Sequence, residues 1–198
     1  MLEQIKKNIP RKIANNGALL LGDVQSLYKD EKKQYNVIGT YVHVLYPPIK
    51  CKDEVLQLKT EVPFLSADYL SFLQKYNGLN AYSDSFCLYG FGRILVDGKY
   101  MISRDPDIVL PYHLGDYNKK KNELYEIGTF CECKLLNDSK KEFYYLLNRK
   151  NEIVAKWDSI NNLIADCISE LSSYYDENGK AKNPTIMGKI LFNKIKKK

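Results

Sequence analysis

Long apolar runs are missing from this chain of 198 residues. Nothing approaches the roughly 18 consecutive apolar residues of a membrane-spanning helix, and the longest early run, residues 18–21, is too short for the core of a secretory signal. A soluble protein that stays in the cytoplasm is expected. Histidine is scarce, with only His43 and His113. Neither stands beside a recognisable nucleophile motif and no serine sits in a G-x-S-x-G elbow, so a hydrolytic triad has no support. His43 falls in a strand pattern and reads as a packed or edge-strand residue. His113 reads as a loop residue hydrogen-bonded to Asp116, not as a general base. The glycines at 90 and 92 lack a third partner, because position 95 is Leu95, and no helix pattern follows them; the dinucleotide-binding fingerprint fails.

The five cysteines (Cys51, Cys87, Cys131, Cys133, Cys167) are odd in number and come without secretory context, which argues against a disulfide framework. Cys131 and Cys133 would share one face of a strand, but a structural zinc site wants four ligands, usually in C-x2-C pairs, so both read as small buried apolar residues. Asp105 and Asp107 flank a proline and read as a solvated loop instead of a hard-metal site. No metal, cofactor or catalytic residue set is expected.

A basic body is also missing. The formal charge is +6, but residues 180–198 hold seven lysines and no acid, which leaves 23 basic against 24 acidic residues in 1–179, a net of −1. A nucleic-acid binder carries its lysines and arginines as a stripe or face, and here the excess is confined to the end of the chain.

What is present is aromatic and β-branched. The 16 tyrosines and an apolar fraction of 44% exclude a disordered chain and favour strands with a binding surface. Residues 1–16 show modest periodicity and read as a short helix or arm. "QYNVIGTYVHVLY" contains at least one strand, and Asp53 can cap a short helix through Lys59 that Pro63 ends. Ser66 is an N-cap, Asp68 lies in the first turn, and Tyr69, Leu70, Phe72, Leu73 and Tyr76 follow at helical spacing up to Asn77-Gly78, which can take the left-handed conformation. The stretch from Asp84 to Ser103 reads as two strands turning at Asp97-Gly98. A loop with a short helix follows, then three strands, "LYEIGTFCECKLL", "KEFYYLLNR" and "NEIVAKW", in an antiparallel meander. Asp158 caps the clearest helix, with Ile160, Leu163, Ile164, Cys167, Ile168 and Leu171 on one face through about Tyr175. Gly179 starts a linker, and Asn183-Pro184 opens a basic amphipathic terminal helix. That helix has two readings: its apolar residues dock on the domain, or its lysines meet an anionic membrane or nucleic acid.

At "VPFLSADYLSFLQKYNGL" the chain resembles the SUKH superfamily, which includes the yeast cell-wall assembly regulator and many bacterial immunity proteins. The signature is a proline, a tyrosine three to six residues on, a Phe-Leu pair and a terminal Asn-Gly; here these are Pro63, Tyr69, Phe72, Leu73, Asn77 and Gly78. The similarity continues through "SFCLYGF", "PYHLGDYN", "YEIGTF", "EFYYLL", "NEIVAKWDSINNLI" and "ISELSSYYDENG", and spans roughly residues 45–179. Two features depart from the pattern: the spacing at residues 64–66, and the basic terminal helix. The resemblance implies an α+β domain with a mostly antiparallel sheet flanked by helices; the expected organisation is a single domain over residues 1–179, with its core at about 45–179 and an N-terminal extension, followed by a basic helical tail over 180–198. It implies a non-catalytic protein-binding function, in bacteria the neutralisation of a cognate polymorphic toxin by direct contact.

The residues agree with that expectation. Tyrosine is stiff and amphipathic, and residues 13–179 carry 19 basic against 23 acidic side chains, a net of −4 suited to a basic partner. The six signature residues are expected to be framework, and Tyr82, Asp84, Asp105, Asp107 and Asp116 are the expected exposed partner contacts. Two other functions stay open: an intracellular scaffold or regulator without a toxin, and nucleic-acid or membrane-surface binding through the tail.

Overall fold

Strand pairing in the computed structural model follows chain order. Residues 11–14, 16–21, 27–29, 35–37, 43–82, 84–103, 108–117, 124–174 and 182 are described. Nine strands form one sheet, each antiparallel to its neighbours: β1 (Arg11–Ile13), β2 (Leu19–Leu21), β5 (His43–Leu45), β6 (Leu79–Ala81), β7 (Phe86–Leu88), β10 (Leu124–Phe130), β11 (Cys133–Asp138), β12 (Phe143–Leu147) and β13 (Ile153–Trp157). The chain leaves this meander three times. It makes a hairpin of β3 (Leu27–Lys29) and β4 (Tyr35–Val37), then the helices α1 (Lys52–Glu61) and α2 (Ala67–Leu73). Last come a hairpin of β8 (Ile94–Val96) and β9 (Lys99–Met101) and a 3-10 turn at Leu114–Tyr117. Helix α3 (Ile160–Ser172) closes the described fold. The architecture is α+β with a mostly antiparallel sheet.

Alternation along the strands separates two cores. Leu21 and Leu45 point into the larger one, where Phe86, Leu88 and Leu135 meet Leu58, Tyr69, Phe72, Leu163 and Cys167 from the helices. Leu20 and Val44, one residue out of step, join Ala14, Ala18 and Tyr46 in a smaller cluster. Val44, Asn80, Cys87, Thr129 and Lys134 stand opposite one another across five strands, so this row shares one face of the sheet.

Several boundaries differ from the sequence reading, each for a local reason. "LYEIGTFCECKLL" is two strands, because Cys131 takes φ +53° and turns the chain at Cys131-Glu132; the two cysteines therefore do not share a strand. Arg11–Ile13 is a strand, while residues 1–10 and the expected terminal helix lie outside the described residues. Cys51, not Asp53, is the extended N-cap of α1, and Asp53 and Glu54 fill its first turn, where the dipole favours anions. Ser159, not Asp158, caps α3: its hydroxyl accepts from Asn162 N at 3.2 Å, and Asp158 instead accepts from Asn162 Nδ2. The apolar stripe of α3 is buried as its spacing predicts, at Ile160, Leu163, Ile164, Cys167, Ile168 and Leu171.

Candidate protein-binding surface

The signature segment is occupied in holding the fold together. Ser66 caps α2 by accepting from Tyr69 N at 3.2 Å, and its own N–H donates to Asn137 Oδ1 across the core. Asp68 accepts from the Tyr144 hydroxyl on β12 and from Ile160 N at the start of α3, at 3.0 and 2.7 Å. The Tyr69 hydroxyl, fully buried, donates to the carbonyls of Tyr89 and Ile127. Phe72 and Leu73 are buried in the core, whereas Pro63 is exposed in the turn between α1 and α2. Asn77 uses its amide as a second backbone, donating to Phe91 O at 2.9 Å and accepting from Phe91 N at 2.6 Å. Gly78 takes φ +97°, and a Cβ there would press on Leu88 O and Pro111 Cβ.

That clamp on Phe91 fixes the loop beyond it. Gly90 N donates to Tyr112 O and Leu114 N donates to Gly90 O, so residues 111–117 lie against the end of β7. A Cβ on Gly92 would overlap the Pro111 carbonyl oxygen, which explains the glycine without any nucleotide. His113 and Asp116 are joined as expected only through the backbone, Asp116 N donating to His113 O at 3.1 Å, while the His113 ring turns elsewhere. Its Nδ1 accepts from Gly92 N at 3.2 Å, which leaves the ring proton on Nε2, facing Glu61 Oε2 at 2.6 Å. Burial alone would raise the Glu61 carboxyl, but hydrogen bonds from Gln57 and His113 outweigh it and hold the group below its ordinary value. Asp116 pairs with Arg93 at 2.7 Å.

The locked loop displays tyrosines. Tyr112 is 44% exposed, and its ring stands 5.8 Å from Tyr89 and 6.2 Å from Tyr117, with Tyr89 and Tyr117 at 4.3 Å. Asp84 flanks this cluster. It sits exposed in a left-handed turn at φ +65°, held by the Asn80 amide at 2.6 Å. Burial and then the Asp84 charge raise the Tyr112 phenol, so at neutral pH it stays a hydroxyl able to donate. Glu126 faces the cluster from β10, and its charge, after burial, raises the Tyr89 phenol.

Of the five expected contacts, the structure brings Asp84 and Asp116 to the edges of this cluster. Tyr82 is a correction: it is 6% exposed, with its ring edge-on to His43 at 4.6 Å, because the turn folds it inward. Asp105 and Asp107 lie outside the described residues. Tyr89, Tyr112 and Tyr117 were not singled out from the sequence, although "PYHLGDYN" carries two of them. His43 occupies an inner strand, not an edge. Among the described residues no three His, Cys, Asp or Glu side chains are grouped as metal ligands, and no helix is long and apolar enough to cross a membrane. No family model, curated protein or solved structure matches the chain.

Proposed function

We propose that this protein is a SUKH-like immunity protein of the bacterial cytoplasm that neutralises a cognate toxin by direct contact and performs no catalysis. The observation that carries the proposal is the division of labour between two groups of residues. The polar members of the signature segment are spent on caps and cross-links, while Tyr112, 44% exposed and packed against the buried Tyr89 and the half-buried Tyr117, faces solvent beside the exposed Asp84 and Asp116. Tyrosines on a fixed loop offer large contact area at little entropic cost, and flanking acids favour encounter with a basic partner.

The test is co-expression with the C-terminal toxin domain of a large secreted protein encoded beside this gene. Growth should be rescued, and the purified pair should bind. Tyr112→Ala with Asp84→Lys should weaken binding at least about 30-fold, as loss of an interface hot spot does. Failure to bind or rescue from that domain overturns the proposal.

A further inference from the structure

The β8–β9 hairpin is apolar where it has no reason to be for the sake of the fold. It forms its own two-stranded sheet, and among the described residues neither strand pairs with a third. Leu95, Val96, Met101 and Ile102 are 60, 37, 42 and 68% exposed. Because Leu95 pairs with Tyr100 and Ile94 with Met101, these residues occupy both faces of the hairpin. An isolated pair of strands is marginal in water, and this one is anchored at its base. Tyr100 packs edge-on to Phe91 at 5.0 Å, Gly92 N donates to His113, and Arg93 bonds Asp116.

That last contact makes the hairpin continuous with the tyrosine cluster, since Asp116 adjoins Tyr117. We propose that the hairpin is a docking arm, and that its occupant is the toxin partner of the preceding section, offering an apolar cleft with basic side chains at its rim. The proposal rests on that reading. A second copy is the poorer occupant: hairpin against hairpin brings only a few aliphatic side chains per chain, short of the roughly 800 Å² each partner contributes to a stable interface. A different protein can close on the arm and reach Tyr112, Tyr117 and Asp84 as well. Asp84, exposed beside Tyr112, and Asp97, exposed at the tip of the arm, are the acids a basic rim would meet.

Full-length protein, the Leu95→Asp/Ile102→Asp variant and the milder Leu95→Ala/Ile102→Ala variant are titrated calorimetrically with the purified neighbouring toxin domain, with Ile153→Asp on β13 as an exposed control. Thermal unfolding and sedimentation are measured on each. The expected result is a loss of at least about 30-fold for the Asp pair and a smaller loss for the Ala pair. The control should bind as the parent does, and all four proteins should be monomers. Parent-like binding by both arm variants overturns the arm while leaving the protein-binding function standing. A parent that binds no toxin overturns both. A parent dimer that the Asp pair dissociates assigns the arm to a second copy and overturns the proposed occupant.

Discussion

His43 is 2% exposed on β5, its Nδ1 accepting from Tyr82 N at 3.3 Å, and burial lowers its pKa from 6.5 to about 4. The folded state therefore refuses a proton that the unfolded chain accepts. Stability is intact above pH 6.5, falls as the pH drops from 6.5 to about 4, and levels below that, with a total loss of about 3 kcal/mol. Urea denaturation at intervals from pH 7 to pH 4 should show this slope, and His43→Gln should flatten it. A slope unchanged by the substitution would assign the effect to other groups. The burial of His43 was half legible: its strand pattern was visible, but a sequence does not say whether a strand is central or at the edge. His113 was less so, because its partner Glu61 lies 52 residues away and only the crossing at Gly90–Gly92 brings them together.

At the scale of elements, the turn between β8 and β9 places Asp97 at φ +49° and Gly98 at φ +74°, the positive values that a type I′ turn requires at both positions. Gly98 has open space around its Cβ position, so an alanine there meets no neighbour and suffers only the left-handed backbone. Gly98→Ala should cost about 1 kcal/mol. Hydrogen exchange should quicken in Ile94–Met101 and stay unchanged in β10–β13; equal quickening in both would show that the hairpin is part of the cooperative core. This turn was readable because Asp-Gly is a specific hairpin signal. The Cys131-Glu132 turn was not, since neither residue favours positive φ and the apolar pattern runs straight through it. The caps behaved similarly: Ser66 was read correctly before its helix, whereas the sequence reading chose Asp158 and the contacts of Asn162 assign the cap to Ser159.

Each strand of the nine-stranded sheet pairs with the next strand of that sheet, and residues outside the ladder tie distant parts of the chain together. Asp68 is one of them. Its carboxylate joins α2 to β12 through Tyr144 and to α3 through Ile160 N, across 76 and 92 residues of sequence. The sequence placed Asp68 in the first turn of α2, where its charge suits that helix, but could not disclose that it also caps another. Ile160 N is an amide at the helix start that needs an outside acceptor, and Asp68 is close enough to serve. Asp68→Ala removes two charge-assisted bonds at once and should destabilise the protein by about 2–4 kcal/mol. Asp158→Ala, which loses one exposed contact to Asn162, should change stability by less than about 0.5 kcal/mol. Denaturant midpoints for the two variants order these effects. If Asp158→Ala proves the more damaging, the start of α3 is held by its local cap, and α2, β12 and α3 are not joined through Asp68.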